Sequence, residues 1–279
     1  MKTIEVEQIT KEVKRLAIEA CTFLEKDLLN VIECAKEKEC GLAKTILEQI
    51  IENDTLAANE NIPMCQDTGI TIVFVEIGNE VFINGDIYSA INKGISEGYT
   101  EGYLRKSVVK SPLNRINTKD NTPAIIHIKH TLGDILKITV CPKGAGSENM
   151  SKVKMLVPAD GIKGIKDFVI NTIKEAGGRP CPPLIIGVGI GGDLEKCALL
   201  AKEALIRPID DESLDEDANR LEKELFEEIN ELNIGPMGLG GKTTCLAVKV
   251  NLYPCHIASL PVAVNIQCHA SRHKVVVLW

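Results

Sequence analysis

The chain has 279 residues, of which 44% are hydrophobic and 25% charged, and its formal net charge is -7. This composition is that of a soluble globular protein, and the intermixed charges leave no broad basic surface for a nucleic acid. The first 16 residues lack the order of a signal peptide, and no stretch approaches the roughly 18 apolar residues of a membrane span. We therefore expect a cytoplasmic protein with neither nucleic acid nor membrane as a partner.

Ten cysteines are present. In a reducing cytosol, cysteines are buried, catalytic or bound to metal rather than joined in disulfides. No two of them have the CxxC spacing of zinc ribbons and ferredoxins. We expect some of the ten to be metal ligands that come from distant loops and meet only in the fold.

Hydrophobic periodicity predicts an α+β fold in one domain, 1–279. Residues 1–58 have helical spacing with a break at Gly41, and residues 59–279 are a mixed α/β part. Two strands, 124–130 and 135–141, are separated by a short Gly-containing turn, which predicts a hairpin. The expected architecture is a helical N-terminal segment followed by mixed sheets flanked by helices. The other predicted strands are 70–77, 184–188, 244–251, 260–266 and 275–278, and the later helices are 86–104, 158–176, 193–205 and 212–232.

Two loops combine residue types that a plain turn does not need. The first, 63–69, places Cys65, Gln66 and Asp67 together between a helix and a strand. The second, 141–149, has two glycines next to Lys143 and Ser147, and backbone N–H groups there can converge on an anion. The first pattern is equally compatible with a structural turn, whereas the second favours anion binding.

Two further glycine-rich segments resemble nucleotide motifs without meeting their requirements. The first, 179–193, contains Cys181 between prolines and then, at 187–193, the glycine spacing of a dinucleotide fingerprint. Asp210 and Asp211 follow a helix without a convincing second strand, which favours tight strand–helix packing as the role of these glycines. Residues 235–244 end like a phosphate loop, but Pro236 stands at the required glycine. A structural turn explains the second segment at least as well as an anion site.

The last segment, 254–273, contains three histidines and two cysteines at the two ends of one short predicted strand. A strand separates its ends too far for all five side chains to bind one metal ion.

These five segments, in this order and over nearly the whole chain, resemble the class I fumarases and the related tartrate dehydratases, in the form divided into alpha and beta subunits. The resemblance is to the alpha subunit and implies a fold like the N-terminal domain of class I fumarases. It is carried by the runs 65–69, 141–149, 181–192, 238–244 and 256–268.

The resemblance implies a 4Fe-4S cluster held by Cys65, Cys181 and Cys268, with one iron that no protein group ligates. An open iron can act as a Lewis acid on a hydroxyl and a carboxylate of the substrate. Of the other cysteines, four lie on predicted helices and are expected to be buried. Three remain alternatives for the third ligand: Cys141, Cys245 and Cys255.

The resemblance also implies roles in substrate binding and catalysis. Gln66 and Arg105 are expected to bind carboxylates of a small dicarboxylate, helped by backbone N–H groups of Gly144 and Gly146. Asp67 is expected to transfer the proton, and His256 to contact the substrate near the cluster. The spacing of Arg105 alone favours an exposed surface charge.

Two departures from the family pattern affect these expectations. Ala145 stands where a third glycine is expected, which changes the freedom of the loop without removing a donor. The chain ends at Trp279, whereas single-chain relatives have further substrate-binding residues in a following domain. We therefore expect a beta subunit to complete the active site, with the last strand and the open face of the cluster meeting this partner.

The expected reaction is the reversible hydration of fumarate to L-malate, a step of the tricarboxylic acid cycle. The main alternative is the alpha subunit of L-tartrate dehydratase, which would share these motifs because the elimination chemistry is the same. A less favoured alternative from another class is a cluster-free module that binds anions through its glycine-rich loops.

Overall fold

The computed structural model describes residues 2–279 and has an α+β fold, as predicted. The helices are α1 (Val6–Thr22), α2 (Lys26–Lys38), α3 (Gly41–Glu60), α4 (Ile87–Glu101), α5 (Ala145–Glu148), α6 (Gly161–Ala176), α7 (Leu194–Ala204) and α8 (Glu216–Asn230). The strands are β1 (Lys2–Glu5), β2 (Ile70–Gly78), β3 (Val81–Asn84), β4 (Ile125–Thr131), β5 (Leu136–Lys143), β6 (Lys152–Leu156), β7 (Leu184–Gly192), β8 (Cys245–Cys255), β9 (Leu260–Gln267) and β10 (Lys274–Leu278).

The chain divides into two compact units. Unit 1 contains the residues up to Leu24, Asn53–Ala145 and Arg272–Trp279, and unit 2 contains Glu25–Glu52 and Gly146–Ser271. The predicted boundary at residue 58 lies two residues from the end of α3. That both units form one domain stays a prediction.

Unit 1 is built on a four-stranded sheet in the order β10-β5-β2-β4, in which β2 and β4 are parallel and the other pairs are antiparallel. Apolar residues of α1 such as Ile9, Val13 and Leu16 recur at helical spacing and are fully or almost fully buried. They share one core with Ile91 of α4 and Ile138 of β5. The helical opening is confirmed, except that β1 precedes α1 and pairs with β3.

The predicted hairpin between the strands at 124–130 and 135–141 is wrong. β4 and β5 both form, but β2 lies between them and pairs with each. Their connection crosses the end of β2, where Gly78 donates to the carbonyl of Ile135 and Asn79 to that of Thr131. The residues of the short turn could not predict this, because β2, which comes earlier in the sequence, forms the hydrogen bonds that β4 and β5 would otherwise form with each other.

Unit 2 is built on a second four-stranded sheet, in the order β6-β9-β7-β8. Val188 belongs to the core that this sheet shares with α6 and α8. Its neighbours Gly187 and Gly189 point to the opposite face, where a β-carbon would lie 2.1 Å from the carbonyl oxygen of Ala201 and 2.0 Å from that of Cys197. Helix α7 packs directly on these glycines, which confirms the predicted packing role of this segment.

Within residues 2–279, no helix is both long and apolar enough to cross a lipid bilayer.

Candidate active site

In unit 1, the predicted loop at 65–69 connects α3 to β2 and carries three of the predicted site residues. Cys65 is half-buried and its thiol donates to Oε1 of Gln66 over 3.4 Å. Gln66 is exposed and Asp67 is half-buried. All three polar side chains are therefore accessible in this unit.

The carboxylate of Asp67 is held by backbone donors on both of its oxygens. Oδ1 accepts from the N–H of Gly69 at 3.0 Å, and Oδ2 accepts from the N–H of Ala145 at 2.9 Å. The second bond joins loop 65–69 to the predicted anion-binding loop at the end of β5. Ala145, the departure from the family pattern, thus supplies a donor that fixes Asp67.

A buried polar cluster lies beneath loop 65–69. The hydroxyl of Tyr99, which is 0% exposed, donates to the carbonyl of Thr68 at 2.6 Å and receives a bond from the hydroxyl of Thr71. Burial raises the pKa of Tyr99, so this hydroxyl stays protonated and remains a donor. The loop backbone is thereby anchored to α4.

Arg105 is connected to the same loop through its backbone. The hydroxyl of Thr68 donates to the carbonyl of Arg105 at 2.9 Å, while the Arg105 side chain is exposed. Asn121, which is 0% exposed, donates to the carbonyl of Gly69 and accepts from the N–H groups of Ser107 and Val108. Unit 1 therefore places the backbone of Arg105 against loop 65–69, and a shared role of its side chain with Gln66 and Asp67 in substrate binding stays a prediction.

Arg272 also contacts loop 65–69, and sequence reasoning did not single it out. Its guanidinium is buried, and Nη1 donates to the backbone carbonyl of Asp67 at 2.8 Å. A β-carbon at Gly144 would lie 3.3 Å from Nη2 of Arg272 and 3.3 Å from Oδ2 of Asp67. The only signal in the sequence was an arginine inside the polar 254–273 segment.

In unit 2, two of the predicted ligand cysteines lie next to the neighbouring ends of the two central strands of the sheet. Cys181 precedes β7 and Cys268 follows β9, and these strands are antiparallel with Ile185 opposite Gln267. The N–H of His269 donates to the carbonyl of Cys181 at 3.4 Å. Cys181 is exposed and has a φ of 57°, a backbone strain that is common at functional sites.

Of the three alternative ligand cysteines, two are buried and one is exposed. Cys141 is buried within β5 and Cys245 is buried at the start of β8, where burial raises its pKa and disfavours the thiolate that a metal requires. Cys255 is exposed, and its thiol donates to the carbonyl of Ser259. No disulfide joins any of the ten cysteines, all of which lie in residues 2–279.

His256 lies in the exposed turn between β8 and β9. Its Nδ1 accepts from the N–H of Ala258 at 3.1 Å, so the neutral ring carries its proton on Nε2. His256 precedes β9 and Cys268 follows it, and the eight residues of this strand extend over roughly 25 Å. Unit 2 thus places His256 and Cys268 at opposite ends of one strand.

Among residues 2–279, no three His, Cys, Asp or Glu side chains are grouped closely enough to hold a metal ion as they stand. Each unit by itself nevertheless offers thiols suited to iron. Cys65 is half-buried in unit 1, and unit 2 presents Cys181 and Cys268 next to the neighbouring ends of β7 and β9. Accessible thiols of this kind fit the donor set of an iron-sulfur cluster.

Comparison with known proteins identifies the family. A family model described as fumarate hydratase (fumerase) matches residues 10–277. The chain belongs to the fumarate hydratase family. The resemblance given by the five sequence segments is therefore confirmed, and the chain is an alpha-type hydro-lyase of this family.

Two relatives match the fumarase-family chain over almost its full length. One, from Methanocaldococcus jannaschii, is named "Putative L(+)-tartrate dehydratase subunit alpha" and is 45% identical over 276 residues, 96% of each chain. The other, from Escherichia coli strain UTI89, is named L(+)-tartrate dehydratase subunit alpha. It is 30% identical over 272 residues, which cover 96% of this chain and 89% of the relative.

Proposed function

We propose that this chain is the alpha subunit of a 4Fe-4S-dependent hydro-lyase that reversibly hydrates fumarate to L-malate, with a beta subunit completing the active site. The observation that carries this proposal is the convergence around Asp67. Its carboxylate accepts from the N–H of Gly69 in its own loop and from that of Ala145 at the end of β5. The hydroxyl of Thr68 in the same loop donates to the backbone carbonyl of Arg105. An acid–base group and an adjacent cation are what removal of a proton beside a carboxylate requires.

Cys65, Cys181 and Cys268 would hold the cluster, in line with their accessible thiols. When bound, the cluster supplies a Lewis acid that helps hydroxide leave carbon. We also propose a cytoplasmic location, because reduced thiols are needed to bind the cluster.

Asp67 would move the proton at the carbon next to a substrate carboxylate. Its two backbone hydrogen bonds leave further lone pairs on both oxygens, so the carboxylate can accept a proton without leaving its position. Gln66 and Arg105 would bind the substrate carboxylates, together with backbone N–H groups of Gly144 and Gly146. Within unit 2, β9 separates His256 from Cys268. The predicted contact between His256 and the substrate is therefore tested apart from the roles of Asp67, Gln66 and Arg105.

The partner is proposed from the relatives, which are named as alpha subunits. A beta subunit would contribute the remaining substrate-binding and proton-transfer groups. We keep the last strand, β10, as the proposed contact with this partner, since Val275 and Trp279 expose apolar side chains there.

L(+)-tartrate is the second candidate substrate, because both named relatives are called tartrate dehydratases. Dehydration of tartrate yields oxaloacetate through the same loss of hydroxide and proton. Asp67, Gln66 and Arg105 would have the same roles in both reactions.

The test is anaerobic reconstitution of the chain with its beta partner, followed by measurement of iron content and of turnover with fumarate, L-malate and L-tartrate. We expect about four irons per chain and turnover of fumarate. Turnover of tartrate alone would select the second candidate, and absence of iron would reject the cluster.

A matched pair of cysteine variants tests the ligand assignment in the same assay. Cys181 and Cys34 are both exposed, but only Cys181 is a proposed ligand. We expect Cys181→Ser to lose iron and colour while Cys34→Ser retains both. Equal iron content in the two variants would reject Cys181 as a ligand.

A further inference from the structure

Arg272 is a buried cation in unit 1 that none of the roles above uses. Its side chain is 3% exposed, and Nη1 donates to the backbone carbonyl of Asp67 at 2.8 Å. A guanidinium is rarely withdrawn from water unless it is well bonded, because loss of hydration is costly. The bond to the Asp67 carbonyl therefore supplies part of the hydrogen bonding that a buried guanidinium requires.

The guanidinium and the Asp67 carboxylate both lie next to Gly144, in the loop at the end of β5. The point where a β-carbon of Gly144 would stand is 3.3 Å from Nη2 of Arg272 and equally far from Oδ2 of Asp67. Most β-carbons do not approach other atoms this closely, so a side chain at this position would require the two groups to shift slightly. Arg272 and Asp67 thus converge on the same backbone.

Neighbouring groups under the loop are affected by the same charge. Burial raises the pKa of Cys21 to about 11, and the positive charge of Arg272 acts in the opposite direction. Arg272 likewise opposes the raised pKa of the buried Tyr99. The guanidinium is therefore close to the polar groups that anchor loop 65–69.

We propose that Arg272 is a positioning residue that holds the backbone and carboxylate of Asp67 in place for proton transfer. Its bond to the Asp67 carbonyl fixes the backbone from which the carboxylate projects. Gly144 leaves room for this arrangement, and the N–H of Ala145 completes it from the other side. Small displacements of a positioned catalytic group lower turnover strongly, whereas ground-state binding by other residues is unaffected.

We rest this inference on the proposed function, and the experiment has one readout that does not need activity. Arg272→Gln, Arg272→Lys and Gly144→Ala are prepared in the reconstituted complex with the beta subunit. The control is Arg115→Gln, since Arg115 is an exposed arginine that also donates to a backbone carbonyl. Amide hydrogen exchange is measured on peptides covering 65–69 and 143–146, with α6 as a reference.

We expect faster exchange in these two peptides for Arg272→Gln and Gly144→Ala, with unchanged exchange in α6 and in Arg115→Gln. Unchanged exchange in the two peptides, or equal acceleration in α6, would overturn the proposal.

In turnover assays with fumarate and tartrate, we expect Arg272→Gln to lower kcat about 10- to 100-fold with KM changed less than about threefold. Arg272→Lys keeps the charge and one donor and should recover part of the loss. A wild-type kcat in Arg272→Gln, or a loss found only in KM, would overturn the positioning role. If the wild-type complex turns over neither substrate, the proposed function fails, and the exchange data alone decide whether Arg272 holds the loop.

Discussion

The two turns that carry predicted catalytic residues are stabilised in different ways. Loop 65–69 is bonded to α4, to the end of β5 and to Arg272, residues 31 to 205 positions away in the sequence. The turn of His256 is bonded only within itself, through Ala258 and Ser259. One turn is fixed by the fold, and the other by its own few residues.

This difference shows which of the two turns can hold a catalytic side chain in a fixed position. Loop 65–69 rests on Tyr99 and Asn121, both of which are 0% exposed, so displacing it would break buried hydrogen bonds. The His256 turn is exposed and can move at little cost in free energy. A proton-transfer group requires the first kind of support, whereas a substrate contact can function with the second.

The largest expected effect comes from Asp67→Asn, which keeps the size of the side chain but removes the acid–base group and, because an amide has a single oxygen, one of the two backbone bonds. We expect kcat of the reconstituted complex to fall about 10²- to 10⁴-fold, the usual contribution of general acid–base catalysis. Iron content should stay at the wild-type value, because no thiol is altered. Wild-type turnover with full iron would contradict the role of Asp67.

A buried carboxylate near the start of the same loop gives a pH-dependent effect. Asp54 is 4% exposed, and burial raises its pKa to about 6, while Asn53 bonds both to it and to the carbonyl of Met64. The folded state therefore holds this proton more tightly than the unfolded state. The resulting penalty is absent below about pH 4 and complete above about pH 6.

Asp54→Asn removes this titration. We expect the free energy of unfolding of the variant, relative to the wild type, to increase between about pH 4 and pH 6.5 by up to about 3 kcal/mol. Urea denaturation across this range measures the difference. A difference that is constant with pH would show that Asp54 is charged at no cost.

The sequence predicted the local elements of both regions but not the supports of loop 65–69. Helical spacing and turn residues indicated α1, the break at Gly41 and the start of the helix at Asp193, whose side chain accepts from the N–H of Lys196. Such signals lie within a few residues of each other. Tyr99, Asn121 and Arg272 contribute through contacts far apart in sequence, and their residue types are common in ordinary helices and loops.

The sheet of unit 1 shows the same limit. The strands at β4 and β5 were predicted close to their bounds, but their pairing was wrong because β2 occupies the position between them. Gly187 and Gly189 were correctly predicted as packing residues. Because the segment does not meet the requirements of a nucleotide motif, close approach of a helix was the better explanation for its glycines. Pairing partners and buried hydrogen bonds require the assembled fold.

A smaller effect is expected from Tyr99→Phe, which removes one support of loop 65–69 without creating a cavity. The carbonyl of Thr68 and the hydroxyl of Thr71 would lose their partner in a buried environment. We expect a loss of about 1–3 kcal/mol in the free energy of unfolding, measured by urea denaturation. Tyr103→Phe is the matched control, because Tyr103 is 92% exposed, and it should change stability by less than about 0.5 kcal/mol.

The smallest expected effect is that of His256→Gln. The side chain is exposed, and its one bond to the N–H of Ala258 is within the same turn, so stability should change by less than about 0.5 kcal/mol. If His256 contacts the substrate, KM for fumarate or tartrate should rise by up to about tenfold with kcat nearly unchanged, since such a contact contributes to ground-state binding. A loss of kcat as large as that of Asp67→Asn would instead indicate that His256 takes part in proton transfer. An exposed turn with only local hydrogen bonds would then be able to position a proton-transfer group.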